Sequence, residues 1–158
     1  MVVTKRTWNS LEESLGTNLA FNDEHDKILV NLVFTYNFFL SQTLQALADF
    51  SINDQHYNIL KLLSHHAPKP ASVTEIKSLL FNKRGDLTRL LDKLSDLALI
   101  QRETNHSNRR MIDVRITPKG EEQLHEMDAR LAVLRRPNPQ MTKHEAVQLN
   151  HLLDKLRG

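Results

Sequence analysis

The middle of the chain concentrates positively charged side chains that could contact phosphates and bases. Residues 82–119 carry nine Lys or Arg against five Asp or Glu, whereas residues 1–81 carry six against eight and residues 120–158 carry six of each. The net charge of the whole chain is only +2, so the positive charge is local. Such a patch is typical of nucleic-acid-binding proteins, because Lys and Arg donate to phosphate oxygens and guanine edges.

Two helical patterns meet at the start of this basic segment. Ser72 and Glu75 form a capping box that begins a short helix through Leu80. Asn82 can cap a second helix, whose leucines recur at helical spacing. An earlier helix, capped by Asn53, precedes the pair and ends at the prolines near position 68. A short helix joined tightly to a longer, cationic one is the helix-turn-helix pattern.

A β-hairpin with a basic tip is predicted to follow the helix pair. Residues 101–104 and 112–116 have strand patterns, and a polar turn separates them. Period-2 alternation places Arg115 towards solvent and the alternating apolar residues towards the core, namely Ile112, Val114 and Ile116. A helix pair followed by such a hairpin predicts a winged helix-turn-helix, a mainly α fold with a small β-hairpin wing.

In a winged helix-turn-helix the second helix of the pair enters the major groove and the wing tip enters the minor groove of double-stranded DNA. The start of the preceding helix offers amides to phosphates. We expect Arg110 to enter the minor groove. The predicted DNA-binding residues are Ser72, Thr74, Asn82, Lys83, Arg84, Gly85, Asp86, Thr88, Arg89, Lys93, His106, Asn108, Arg109 and Arg110.

Amphipathic helices are predicted on both sides of this module. Apolar residues recur at helical spacing from Glu24 to near Phe50, after Thr117, and after a second capping box at Thr142. Exposed apolar stripes are costly, so we expect these helices to pair in a homodimer; folding back onto their own domain is the alternative. The predicted organisation is an N-terminal arm at 1–23, a dimerisation helix at 24–52, a winged helix-turn-helix domain at 53–117 and C-terminal dimerisation helices at 118–158.

Composition argues against several other classes of protein. The chain has 158 residues, 40% of them hydrophobic and 25% charged, which is ordinary globular usage. No apolar stretch approaches the roughly 20 residues of a membrane helix, and the N-terminus lacks a signal-peptide core, so we expect a cytoplasmic protein with no membrane partner. No catalytic constellation or glycine-rich phosphate loop is recognisable, so neither an enzyme nor a cofactor is expected.

Two other functions remain open at this stage. Eight histidines invite a metal-responsive regulator, but there is no cysteine and no His pair at i, i+4 spacing, so we predict no metal site. A winged helix can also serve as a protein-interaction module, in which case the cations would be incidental or form a solvated face. The coincidence of helix pair, hairpin tip and charge excess favours DNA.

Residues 72–124 resemble the MarR family of bacterial transcription regulators. The resemblance rests on four motifs, which are Thr88-Arg89-Leu90, Leu99-Ile100-Gln101-Arg102, Arg109-Arg110 and Ile116-Thr117-Pro118-Lys119-Gly120. It extends over about residues 24–157 and implies a homodimer with interlocking first and last helices. It also implies two winged domains that read a pseudo-palindromic operator, and a regulator that acts as a repressor.

Two positions depart from the family pattern. Asn108 stands where the family usually has an Asp that pairs with the wing arginine, here Arg110, so we expect a softer wing. Ala98 stands where the family favours Gly, which puts a left-handed helix cap in question.

The resemblance further implies a cleft between the dimer helices and each winged domain, where relatives bind small aromatic or acidic compounds. The candidate lining residues are Tyr36, Phe39, His56 and Tyr57. Aromatic residues at helical spacing more often pack in a core, and that is the alternative. A small-molecule effector bound there would relieve DNA binding by changing the spacing of the two recognition helices.

Overall fold

The computed structural model describes residues 9–16, 21–80, 86–105, 108–109, 111–134 and 140–158. In chain order, these residues form α1 (Leu11–Leu15), α2 (Glu24–Leu47), a 3-10 helix (Ala48–Phe50), α3 (Asp54–His66), β1 (Ala71–Ser72), α4 (Val73–Leu79), α5 (Leu87–Asp96), β2 (Ile100–Thr104), β3 (Ile112–Ile116), α6 (Pro118–Leu131) and α7 (Lys143–Arg157). The mainly helical fold with a small antiparallel sheet is confirmed. No helix in the described part of the chain combines the length and the apolar character that crossing a membrane requires.

The chain divides into two compact units, residues 38–134 and residues 1–37 with 135–158. The first unit has a core in which α3 packs against α4, α5, α6 and β3. Its largest fully buried side chains are Leu47, Ile59, Leu60, Leu63, Ile76, Leu91, Leu94, Leu99, Val114 and Met127. Leucine and isoleucine dominate because each fully buried side chain contributes about 1.5–3 kcal/mol.

In the other unit, α1 begins with a capping box formed by Ser10 and Glu13, and Leu11 is buried. Lys27 on α2 forms an ion pair with Glu12 at 2.5 Å. Hydrogen bonding from Lys27 lowers the pKa of the Glu12 carboxyl to about 2. Most apolar side chains of α7 are exposed.

Local sequence signals place four of the helix starts. In each case a side-chain oxygen accepts a hydrogen bond from the backbone amide three residues further on, which satisfies one of the free donors of the first turn. The residues that cap in this way are Asn53, Ser72, Thr117 and Thr142. These predicted helix starts are confirmed.

The start of α5 differs from the prediction. The helix begins at Leu87, and Asp86 is its cap, because the Asp86 carboxylate accepts from the Arg89 amide at 3.3 Å. The predicted cap, Asn82, lies outside the described residues. Asp caps a helix as well as Asn does, and Asp86 directly precedes the first buried leucine of α5, which explains why the helix begins there.

The sheet contains a strand that periodicity did not reveal. Its order is β1-β3-β2, and both pairings are antiparallel. Two-residue β1 pairs Ala71 with Val114, and Val114 is fully buried as predicted. Ile116 is half-buried. Ile112 lies on the side of the hairpin that meets the helices, as predicted, but it is 38% exposed and not buried, because it lines an open cavity between the hairpin and the helices.

Helix α5 ends in a left-handed cap although position 98 is not glycine. Ala98 has a φ of 57°, and its amide donates to the carbonyl of Ser95 at 2.8 Å. The amide of Leu99 donates to the carbonyl of Leu94 at 2.9 Å. Together these hydrogen bonds make a Schellman motif. The left-handed cap that was in question is therefore present.

The start of α6 docks on this cap. The Thr117 hydroxyl donates to the carbonyl of Ala98 at 2.8 Å, and the Thr117 amide donates to the carbonyl of Leu99 at 3.0 Å. A Cβ on Gly120 would lie 2.2 Å from the carbonyl oxygen of Leu99. A side chain at this position would collide with backbone, so glycine is required there. This close approach fixes the position of the hairpin relative to α5 and α6.

Candidate nucleic-acid interface

Helix α5 presents a polar, cationic face to solvent. Leu87, Leu91 and Leu94 point into the core, which leaves Arg89 and Lys93 exposed on the opposite side. Asp86, Thr88 and Asp92 are also exposed. The predicted residues of this helix therefore share a surface that a major groove could contact.

At the start of α4, only one of the two predicted DNA-binding residues is exposed. Ser72 is buried, its hydroxyl caps the helix, and its amide donates to the Glu75 carboxylate at 2.7 Å. Hydrogen bonding from Ser72 lowers the pKa of the Glu75 carboxyl. Ser72 thus holds the helix in place. Thr74, the other predicted phosphate contact of this helix, is exposed.

At the wing, the structure describes only part of the predicted site. Asn108 and Arg109 are exposed at the tip of the hairpin. Six of the predicted DNA-binding residues lie outside the described residues and stay predictions: Asn82, Lys83, Arg84, Gly85, His106 and Arg110.

An ion pair connects the hairpin to α5. Arg102 Nη1 on β2 lies 2.8 Å from Asp92 Oδ1 on α5. The other guanidinium nitrogens, Nε and Nη2, are buried and have no hydrogen-bond partner among the described residues. Arg102 lines a cavity of about 260 Å³ together with Val73, Thr88, Leu91, Glu103, Thr104 and Ile112. Unpartnered buried donors are costly, so these two nitrogens are suited to donate to an anion or a water molecule.

Neither the role of Arg102, which belongs to the motif Leu99-Ile100-Gln101-Arg102, nor that of Asp92 was predicted from the sequence. Arg102 is two residues from both Ile100 and Thr104 along β2, so the strand period of two places all three side chains on the face that meets the helices. A cation on that face needs a partner. That signal could have predicted an acidic residue opposite it.

The predicted effector-pocket residues have different environments. His56 is buried and belongs to the cap of α3, and burial lowers the pKa of its imidazole. Tyr57 is buried, and its hydroxyl donates to Asp128 at 2.5 Å. Tyr36 and Phe39 are exposed on α2. The cavity next to Thr88 and Arg102 contains none of these four residues.

The described residues give no support to a metal site. Within them, no three His, Cys, Asp or Glu side chains are grouped so that they could hold a metal ion.

Solved structures with the same architecture cover nearly the whole chain. A MarR-like transcription regulator from Bacillus cereus has a TM-score of 0.76 and 19% identity, over 85% of this chain and 96% of that chain. A MarR transcription factor from Planctomyces limnophilus has a TM-score of 0.65 and 25% identity, over 87% and 98%. The chain has the fold of the MarR transcription regulators. No protein-family model and no curated protein matches the sequence.

A third similar structure is that of BpsR from Bordetella bronchiseptica, whose DNA binding is regulated by 6-hydroxynicotinic acid. Its TM-score is 0.71 with 16% identity, over 89% of this chain and 98% of that chain. The first two of these neighbours are named as transcription regulators.

Proposed function

We propose that this protein is a sequence-specific, DNA-binding transcription regulator. The observation that carries the proposal is the exposed face of α5, where Thr88, Arg89 and Lys93 stand beside a hairpin that has Arg109 at its tip. The leucines of α5 are buried in the core, so the polar face is held towards solvent. The MarR fold gives this pair of elements a DNA-reading context.

In the proposed complex, α5 enters the major groove and the wing follows the adjacent minor groove. Arg89 and Lys93 contact phosphates or guanine edges, and Thr88 contacts a phosphate or a thymine methyl group. The residues outside the described ranges, above all Lys83, Arg84 and Arg110, extend the same surface as sequence predictions. The expected cytoplasmic location belongs to this proposal, because it places the protein with its DNA target.

The proposed regulator is a homodimer. On α2, Leu29 is 62% exposed and Val33 61%, and on α7 Leu152 is 59% exposed. The other large apolar side chains that are exposed on these helices are Ile28, Leu32, Tyr36, Phe38, Phe39, Leu44, Val147, Leu149 and Leu156. Apolar surface on this scale marks an interface. A two-fold dimer would present two α5 helices to a pseudo-palindromic operator.

The DNA proposal is tested by selecting bound sequences from random duplex DNA and measuring affinity at several salt concentrations. An enriched pseudo-palindrome with half-sites about one helical turn apart is expected, bound less tightly as salt rises. Arg89→Ala is expected to weaken binding about ten-fold or more and to reduce the salt slope by about one. Arg157→Ala removes the same charge from α7 and is the matched control. Equal affinities for both variants would favour the protein-interaction module.

The dimer proposal is tested by sedimentation of the full chain. Val33→Asp, on the apolar face of α2, is expected to shift the protein towards monomer, because a charge in an apolar interface is poorly compensated. Thr35→Asp introduces the same charge at an exposed polar position of α2 and is expected to leave the dimer intact. A wild-type protein that sediments as a monomer at micromolar concentration would refute the dimer.

We further propose that the regulator is a repressor relieved by a small organic acid. The cavity beside Thr88 supports this part of the proposal, since two unpartnered nitrogens of Arg102 are suited to a carboxylate. The regulation of BpsR by 6-hydroxynicotinic acid provides a first probe. That compound and benzoate are expected to weaken operator binding by the wild type but not by Arg102→Ala. Expression of a reporter gene controlled by the operator is expected to increase when the gene for this protein is deleted. A decrease would identify an activator.

A further inference from the structure

The outward face of the wing hairpin holds two carboxylates directly across from each other. The strand register pairs Glu103 on β2 with Asp113 on β3. Like charges opposite each other destabilise an antiparallel pair, unless neighbouring groups compensate them. Gln101 Nε2 donates to Glu103 at 2.9 Å. The corresponding donor for Asp113 comes from the end of β2.

Asn105 bridges the two arms of the hairpin where the strands end. Its Nδ2 donates to Asp113 Oδ2 at 2.9 Å, and its Oδ1 accepts from the Asn108 amide at 2.8 Å. Its own amide donates to the carbonyl of Met111 at 3.0 Å. The Met111 amide in turn donates to the carbonyl of Asn108 at 2.9 Å. One half-buried side chain therefore connects β3, the turn and the end of β2.

The carboxamide suits this position because it carries a donor and an acceptor on the same short side chain. An Asp here would accept from Asn108 but could not donate to Asp113, and it would add a third carboxylate to the face. An Ala would make neither hydrogen bond. Through its amide and carbonyl, Asn108 contributes backbone groups to this arrangement, at the position where the sequence departs from the family's Asp.

We propose that Asn105 is the positioning residue of the wing, which holds the tip with Arg109 in the conformation that meets DNA. The inference rests on the proposed DNA-binding function and assigns one part of it to a residue outside the predicted DNA-binding set. Asn105 acts through the turn and makes no contact with DNA in this proposal. Its role therefore depends on the hydrogen bonds and can be transferred to a different pair of side chains that forms the same bonds.

The test exchanges the polarity of the Asn105–Asp113 hydrogen bond in the full-length protein. In Asn105→Asp/Asp113→Asn the carboxylate now at position 105 accepts from both the carboxamide introduced at position 113 and the backbone amide of Asn108, and the net charge equals that of the wild type. Asn105→Ala/Asp113→Asn lacks the bond and carries less negative charge. Each variant is assayed for affinity to the selected operator and, without DNA, for hydrogen exchange of the Asn108 and Met111 amides. Gln101→Ala is the control on the same face.

Asn105→Ala is expected to lower operator affinity about ten-fold, as for loss of a charge-assisted hydrogen bond, and to speed exchange of the Asn108 amide. Asn105→Asp/Asp113→Asn is expected to restore the operator affinity and the exchange rate of the Asn108 amide to within about two-fold of the wild type. Asn105→Ala/Asp113→Asn is expected to keep the low affinity of Asn105→Ala. If that last variant binds as tightly as the wild type, charge and not position controls affinity and the inference is overturned.

Two further outcomes separate the inference from the proposed function. Fast exchange in Asn105→Ala with unchanged operator affinity would overturn the role of Asn105 and leave the DNA reader intact, provided that Arg89→Ala still weakens binding. If the wild type binds no preferred DNA sequence, both the proposed function and the positioning role of Asn105 are refuted.

Discussion

Replacing Ala98 by Gly is expected to stabilise the protein, although the same change destabilises most helical positions. Ala98 is exposed and has a φ of 57°, a left-handed conformation that costs an L-residue about 1–2 kcal/mol. Glycine removes that strain but loses about 0.5–1 kcal/mol through its more flexible unfolded state. No buried contact of the methyl group is lost. The net gain in the free energy of unfolding is therefore about 0.5–1 kcal/mol.

The assay is thermal and urea unfolding at one fixed protein concentration, because dimerisation makes Tm concentration-dependent. A gain of this size corresponds to a Tm increase of roughly 1–4 °C. Ala129→Gly is the matched control: Ala129 is an exposed residue within α6, and glycine there is expected to cost about 0.5–1 kcal/mol. The sign should thus reverse between two identical substitutions. If Ala98→Gly destabilises the protein as much as Ala129→Gly, the reasoning from backbone strain is refuted.

Asp86→Ala removes the cap of α5, so the free energy of unfolding should decrease by about 1 kcal/mol and operator affinity should fall. Unchanged operator affinity would show that DNA binding does not depend on the cap. Tyr57→Phe removes the part-buried hydrogen bond to Asp128 and should lower the free energy of unfolding by about 1.5 kcal/mol in denaturant titrations. Because hydrogen bonding to Ser72 lowers the pKa of Glu75, its carboxylate stabilises the folded state above the ordinary pKa. That contribution disappears as the pH falls from the ordinary carboxyl pKa through the lowered one, so Glu75→Gln should reduce the loss of stability on acidification.

The features that could be predicted from the sequence depend on residues close together in the chain. A cap and its amide are three residues apart, and a buried helical stripe repeats within one helix, so Asn53, Ser72, Thr117 and Thr142 were sufficient to place four helix starts. The two-residue strand β1 exists only because Ala71 meets Val114, more than forty positions away. No local period can report a pairing of that kind.

In the candidate interface too, nearby residues predict some features, whereas others depend on contacts between elements that are distant in the chain. The polar face of α5 follows from its leucine spacing. The Asp92–Arg102 ion pair and the bridge made by Asn105 depend on how the hairpin sits against its neighbours. The exposure of Ile112 likewise depends on an open cavity that strand alternation does not describe. Ala98 shows that the preference for glycine at a left-handed cap is energetic, and that hydrogen bonds around the cap can overcome it.

In the proposed mechanism, the pair formed by Asp92 and Arg102 links effector binding to DNA binding. It joins the helix proposed to read the major groove to the hairpin proposed to read the minor groove. An anion at the remaining nitrogens of Arg102 would share the guanidinium with Asp92 and change how the hairpin is held against α5. A ligand shifts such an equilibrium only by its different affinity for the two arrangements.

Arg102→Lys tests this link, because lysine keeps the charge but lacks the planar group that can contact two partners at once. The variant is expected to bind the operator within a few-fold of the wild type and to lose most of its response to benzoate or 6-hydroxynicotinic acid in a DNA-binding titration. An undiminished response would place the effector site elsewhere, and the exposed aromatic residues of α2 would then be the next to test. Because a lost response could also come from a lost fold, the thermal unfolding of the variant must match that of the wild type for the result to count.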